Sequence, residues 1–273
     1  MKKYFLFSAV CLLFVCTPVL ARENRSPVDP AQLFVKANAA YAKADFDAAA
    51  KNYEKIISAG IGNGEIYYNL GNAYLKAGHI GRAILNYRKA ELLMPRDEDL
   101  QANLKYAGEQ SRDNIVCNEA LTFLGDFCFW YTKLNRYELL YLFIGVNFLF
   151  WALLAVRLFY RAEGLNILFY IVGLMLLVIG PSAGLKIYRQ AFVKKGVVVE
   201  REIMVRSGST VNATVLFKLH DGAEFFWQED KAGWVKIRLC DGKKGWVRRK
   251  MVDRVDLAVP AVRFQREKIS NSS

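Results

Sequence analysis

Histidine is almost missing from this chain: two residues in 273, His79 and His220. His79 falls in a turn between helical stretches and His220 beside an Asp-Gly turn, and neither has a Cys, Asp or Glu partner at metal-ligand spacing. Both read as solvated loop residues. A nucleophile elbow, a Walker loop and a paired-carboxylate arrangement are missing as well, and Cys240 reads as a strand or turn residue beside "DG" rather than a nucleophile. These gaps argue against an enzyme, a metal centre and a bound cofactor. Acidic residues are also short, 26 against 38 Lys or Arg, and the shortage is local. From Lys186 to Ser273 there are 19 Lys or Arg against 10 Asp or Glu, whereas Ala31 to Asp113 carries 11 against 10.

What the chain has in plenty is apolar side chains, 53% of all residues, too many for an ordinary soluble protein. Some of them must lie in lipid. The N-terminus "MKKYFLFSAVCLLFVCTPVLA" has two lysines, an apolar run, and Val19 and Ala21 at the small-residue positions of a signal peptidase site. Residues 1–21 are therefore expected to be a signal peptide. Lipidation at Cys16 is disfavoured because Val15 stands where a small residue is required.

Shifting the chain by 34 residues places Ala37 on Gly71, Ala49 on Ala83 and Tyr53 on Tyr87. Within "LGNAYLKAGHIGRAILNYRKAELLMP" and just before it, Tyr67, Leu70, Gly71, Tyr74, Gly78, Ala83, Tyr87, Ala90 and Pro95 fill the large, small, aromatic and helix-ending positions of a tetratricopeptide repeat (TPR), which the stretch resembles. Gly71 and Ala83 let two helices approach, Tyr74 and Tyr87 fill the space beside them, and Pro95 is expected to stop the second helix. The first copy, 30–63, keeps Leu33, Ala37, Ala44, Phe46, Ala49 and Tyr53 in register. "NLKYA" at Asn103 to Ala107 aligns with "NLGNA", so a fifth helix should cap an α-helical TPR solenoid of about two and a half repeats over 30–113. "GIGNGE" between the copies is a turn, since no strand precedes it and no lysine follows.

First helices of such units line a concave groove. The groove-facing positions are Phe34, Asn38 and Tyr41 in the first copy and Glu65, Tyr68, Asn72 and Lys76 in the second. Asn38 and Asn72 occupy one repeat position, suited to side-chain amides that hydrogen-bond an extended peptide. A polar solvated helix face would look the same.

Residues 114–136 read as a juxtamembrane segment whose Phe127, Phe129, Trp130 and Tyr131 suit the headgroup level. Cys117 and Cys128 allow either a disulfide or two free thiols. Residues 137–160 and 165–188 are each long enough to cross a bilayer and are joined by "RAEG", a transmembrane helical hairpin that leaves both flanking domains on one side. The signal peptide places that side outside the cytoplasm; the distribution of Arg157, Arg161, Lys133, Arg136, Lys186, Arg189, Lys194 and Lys195 argues the other way, and we follow the signal peptide.

From 196 to 255, short runs of Val, Ile, Phe and Trp alternate with "SGST", "HDGA" and "CDGKKG", the pattern of a small all-β barrel or sandwich. "VRSGST", "LFKLHDGAEF", "GWVKIRL" and "DGKKGWV" together resemble a bacterial SH3 domain. The resemblance implies that Trp234 and Trp246 lie in or beside the core and that Gly222, Gly242 and Gly245 make tight turns. Arg248, Arg249 and Lys250 form a basic run that could meet headgroups or an acidic wall polymer, or simply blunt a strand edge with charge. Nucleic acid is not expected of an exported, membrane-embedded chain, and residues 256–273 read as a loose tail.

This order of modules, a multidomain membrane protein, resembles the BatE family of the bacterial aerotolerance (Bat) operons. The resemblance implies a non-catalytic part of an inner-membrane assembly, with the TPR and SH3-like parts in the periplasm and von Willebrand A domain membrane proteins and a MoxR-type AAA ATPase as partners. A wall anchor that binds peptidoglycan through its basic barrel is the competing expectation.

Overall fold

The computed structural model describes residues 29–113, 129–160 and 162–257. The signal-peptide expectation, Cys117, Phe127, Cys128 and the tail from residue 258 lie outside the described residues.

Five helices come first: α1 (Pro30–Ala42), α2 (Phe46–Ser58), α3 (Gly64–Lys76), α4 (Ile80–Glu91) and α5 (Glu98–Gln110). Asp29, Asp45, Asn63 and Asp97 each accept a hydrogen bond from a first-turn backbone N–H, which fixes where α1, α2, α3 and α5 begin. Ala37, Ala49, Ala73, Ala83, Ala90 and Ala107 are completely buried, and small residues at these crossings bring the backbones together around Tyr53, Tyr67 and Tyr87. At Gly71 a Cβ would stand 2.5 Å from the Tyr87 ring, so only glycine allows the α3–α4 approach. Gly78 turns the second unit at φ +80; the matching residue of the first, Ala44, adopts φ 60, a region that disfavours a side chain. Pro95 was expected to end the second helix, yet α4 already closes at Glu91 with Leu92 as its C-cap, and Pro95 lies in the link to α5.

A short helix, α6 (Phe129–Lys133), leads into α7 (Arg136–Phe159) and α8 (Glu163–Phe192). Asn135 and Glu138 form a reciprocal capping box at the start of α7. Both long helices are apolar, with mean hydropathy 2.3 and 2.1, and only 11% and 17% of their apolar windows are buried in the protein. A core helix of a globular domain would be mostly covered; these two are long and apolar enough to cross a membrane. They run side by side in opposite directions, with Leu139 packed near Ile179 and Ala183, and Phe150 stacked on Phe169 at 4.9 Å.

The remaining strands are β1 (Lys195–Val198), β2 (Glu202–Arg206), β3 (Val215–His220), β4 (Glu224–Lys231), β5 (Trp234–Arg238), β6 (Lys244–Arg248) and β7 (Val252–Arg254). They form one antiparallel sheet in the order β3-β2-β6-β5-β4-β1-β7. The expected barrel is not closed. β3 and β7 are the two edges, and β2 meets β6 through the single pair Arg206↔Trp246. Register shifts at Val205/Arg206 and Trp227/Glu229 curl the sheet around Val198, Ile203, Val205, Phe225, Trp227, Val235, Ile237 and Val247, while β7, three residues long, reaches only β1.

One expectation for this sheet changes. Gly222 and Gly242 do make turns, at φ +87 and +89, but Gly245 lies within β6, where a Cβ would come within 2.3 Å of Val205 Cγ1. It permits close strand packing, and the turn glycine that sequence reasoning missed is Gly233 at φ +80. Trp227 belongs to the buried cluster; Trp234 is buried beneath Arg248, and Trp246 is half-buried with Lys236 at 5.9 Å from its ring.

Helices and sheet share a core. Val197 of β1 is fully buried in the same cluster as the helical repeats, with Val199, Val255 and Leu257 packed against it. A Cβ on Gly81 of α4 would meet Val198 O at 2.1 Å, and one on Gly222 would meet Ile84 Cδ1 and Ser111 Oγ at 2.8 Å. Gly81 thus lets the α4 backbone meet the backbone of the sheet, and Gly222 leaves room for the Ile84 and Ser111 side chains.

Candidate functional site

The first helices of the units, α1 and α3, carry the expected groove residues. Phe34 is half-buried and edge-on to Tyr53 at 6.1 Å, Tyr41 contacts Phe46 at 5.2 Å, and Tyr68 lies 6.0 Å from Tyr87. Glu65 and Lys76 stand exposed in the first and last turns of α3, where their charges complement the helix dipole.

The two asparagines have a role that spacing alone did not show. Tyr53 donates its hydroxyl hydrogen to Asn38 Oδ1, and Tyr87 donates to Asn72 Oδ1 at 2.7 Å, the same bond in both copies. Asn103 of α5 donates to Asn72 Oδ1 and to the Tyr68 hydroxyl, both at 3.0 Å. The amide oxygens are therefore held from below by second-helix tyrosines. The amide N–H2 groups of Asn38 and Asn72 donate to nothing among the described residues, and they remain as paired donors one repeat apart.

Burial keeps these phenols protonated. It pushes the Tyr53 and Tyr87 hydroxyls above their ordinary value, with smaller contributions from Tyr41 and Tyr68. Tyr74 is pushed up to about 12, first by burial and then by its hydrogen bond to Glu54. Donor character at the Asn sites is thus fixed across the physiological range. Tyr67, Leu70, Tyr74, Ala83 and Ala90 are buried packing residues.

The basic run lies against the aromatic residues of the sheet. Arg248 stacks over Trp234 at 4.6 Å, Arg249 over Trp227 at 4.5 Å while donating to Val252 O, and Lys250 is exposed. All three line a cleft of about 1010 Å3 between the sheet and α2, α3 and α4, facing Arg82, Lys89 and Glu54. The cleft is rich in cations, each arginine of its walls lying against an aromatic ring.

The contact between repeats and sheet is itself polar at its centre. Arg88 on α4 donates from Nε and Nη2 to Glu224 Oε1 at 3.0 and 2.7 Å, and from Nη1 to Glu91 at 2.8 Å. Burial disfavours the guanidinium charge, but Glu224 and Glu91 more than offset this and hold it protonated. His220, expected to be a solvated loop residue, instead ends β3 with its side chain mostly covered. Asp113 explains it: its carboxylate accepts from the His220 backbone N–H at 2.6 Å and pairs with Nδ1 at 2.9 Å. His79 is half exposed, 3.6 Å from Asp47. Cys240 is exposed in a turn, as expected, and is disulfide-bonded; the Cys117–Cys128 alternatives lie outside the described residues.

No group of three or more His, Cys, Asp or Glu side chains that could hold a metal ion occurs among the described residues. No curated protein matches the chain. The tetratricopeptide repeat family matches residues 64–97, the unit built by α3 and α4, and the bacterial SH3 domain family matches residues 203–253, from β2 into β7. The helical region thus contains a tetratricopeptide repeat, which suggests protein–protein contact, and the sheet is consistent with a bacterial SH3 domain, which suggests binding at the cell wall or envelope.

Proposed function

We propose that this chain is a non-catalytic, membrane-anchored scaffold of a bacterial cell-envelope assembly, holding a partner protein in its repeat groove. The carrying observation is the repeated Tyr–Asn bond, which presents the amide N–H2 groups of Asn38 and Asn72 at equivalent points of successive units. α7 and α8 supply the anchor, in the inner membrane, and the repeats and SH3 domain face the periplasm. The disulfide at Cys240 suits that oxidising compartment. On the module order, the partners are von Willebrand A domain membrane proteins and a MoxR-type AAA ATPase of a Bat-type stress system.

The test keeps the internal bonds and replaces each amide donor with a carboxylate oxygen. Asn38→Asp with Asn72→Asp still accepts from Tyr53 and Tyr87, whereas Asn72→Ala would strand the buried Tyr87 hydroxyl. Crosslinking of the tagged protein in intact membranes, followed by mass spectrometry, should recover the partner proteins with the parent chain. The double aspartate variant should lose them at unchanged thermal stability, and equal recovery would sink the groove reading.

A second reading, a wall-binding anchor, is favoured by the cation-lined cleft at Arg248 and Lys250. Because the sheet shares its core with the repeats, the whole chain is the right reagent. Cosedimentation with peptidoglycan that disappears in Arg248→Gln with Lys250→Gln would establish this reading, and a protein that stays in the supernatant would remove it.

A further inference from the structure

A second cavity, about 700 Å3, opens where α6, the start of α7, the end of α8, the link after α4 and the residues following β7 meet. Its lining includes Lys133, Arg136, Lys186, Arg189 and Lys195, with two acids, Glu91 and Asp256. Both acids are engaged by arginines outside the lining: Glu91 takes Arg88 at 2.8 Å, and Asp256 stands 3.6 Å from Arg254. Lys186 donates to the carbonyl oxygens of Tyr131 and Leu134 at 2.6 and 2.5 Å, with the Glu138 carboxylate as its acidic neighbour. Arg136 contacts the Tyr137 ring and hydroxyl, but its Nε is buried with no hydrogen-bond partner. The cavity thus holds five cations, and its two acids are already engaged by other arginines, a balance that favours an anion.

Position in the fold narrows the anion. Arg136 is the first residue of α7, while Lys186 and Arg189 lie in the last turns of α8, so both apolar helices present cations at the same end. At about 1.5 Å per residue the 30 residues of α8 extend about 45 Å, past the hydrocarbon thickness of about 30 Å. Its basic end therefore emerges at the headgroup layer, beside Trp130 and Tyr131, aromatic residues typical of that level. The plentiful anion there is a lipid phosphate.

We propose that this cavity binds the phosphate of an anionic phospholipid headgroup, with Lys133 and Arg136 as its charged walls. The inference rests on the membrane anchoring proposed above, and the two fail separately. Release of the full-length chain from membranes by alkaline carbonate would remove the anchoring, whereas a retained chain with no lipid preference would remove only the cavity. Native mass spectrometry of the full-length protein in detergent, titrated with phosphatidylglycerol or phosphatidylcholine, supplies the readout. One phosphatidylglycerol should be retained in preference to phosphatidylcholine. Lys133→Gln with Arg136→Gln should reduce that preference about thirtyfold, in line with the electrostatic worth of two basic residues near an anionic surface. Lys231→Gln with Lys244→Gln, which removes the same charge from the exposed sheet, should leave it unchanged, and the thermal stability of both variants guards against misfolding. Equal retention of the two lipids, or equal loss in both variants, overturns the proposal. Full displacement by free glycerol phosphate would also overturn it, by showing a soluble phosphate site.

Discussion

The two helical hairpins have the same 34-residue plan but different neighbours, and the difference is written in a few residues. The second hairpin has Gly71 where the first has Ala37, Gly78 where the first has Ala44, and Gly81 and Arg88 where the first has Asp47 and Glu54. Two of these changes, Gly81 and Arg88, match what the second unit touches in the sheet. Gly71 admits Tyr87, Gly81 admits the β1 backbone, and Arg88 reaches Glu224 of the SH3 domain. The first hairpin keeps charged residues on the corresponding face. One repeat plan can therefore serve as an inner unit or an outer one, according to whether its second helix offers glycine or charge.

The strongest way to break this contrast is to remove Arg88. Arg88→Ala removes the guanidinium that pairs with buried Glu224 and should cost about 3–5 kcal/mol in chemical unfolding. Glu54→Ala, at the matching position, loses one partly exposed hydrogen bond from Tyr74 and should cost about 1 kcal/mol. Equal losses would mean that the second hairpin is not tied to the sheet as described.

Gly71→Ala comes next, at about 1–3 kcal/mol, because the Tyr87 ring must shift to admit the methyl group. Alkaline titration then probes the buried phenol of Tyr74, bonded to Glu54. An unfolded tyrosine ionises near pH 10, while folded Tyr74 ionises at about 12, so the unfolded state loses protons first. Stability should be fully present below pH 10 and fall as the pH rises towards 12, as followed by denaturant melts and tyrosinate absorbance. Stability that stays flat through that window would contradict the buried, protonated phenol.

The smallest expected effect sharpens the comparison in the other direction. Ala44→Gly should stabilise the first hairpin by about 1 kcal/mol by relieving its left-handed turn, and Gly78→Ala should destabilise the second by a similar amount. Thermal melts of the two variants would show opposite shifts.

Much of the plan was legible in the sequence because it depends on local spacing. The helix period, the small residues at the crossings, the two long apolar runs and the turn glycines at 78, 222 and 242 all act within one element or between neighbours. The resemblance to a bacterial SH3 domain implied a turn at Gly245, whereas its strand role depends on Val205, forty residues away in the chain. The groove asparagines were found by repeat position, but their orientation was not, since it is set by tyrosines on another helix. His220 was misread for the same reason: Asp113, which covers it, lies 107 residues earlier.

The sequence by itself determined the modules, because hydrophobic period, capping and turn chemistry are properties of contiguous residues. Only the tertiary structure decided how the modules meet. The Arg88–Glu224 pair, the facing glycines 81 and 222, the open sheet edge and the two cation-lined cavities all depend on residues far apart in the chain, whose juxtaposition no local pattern encodes.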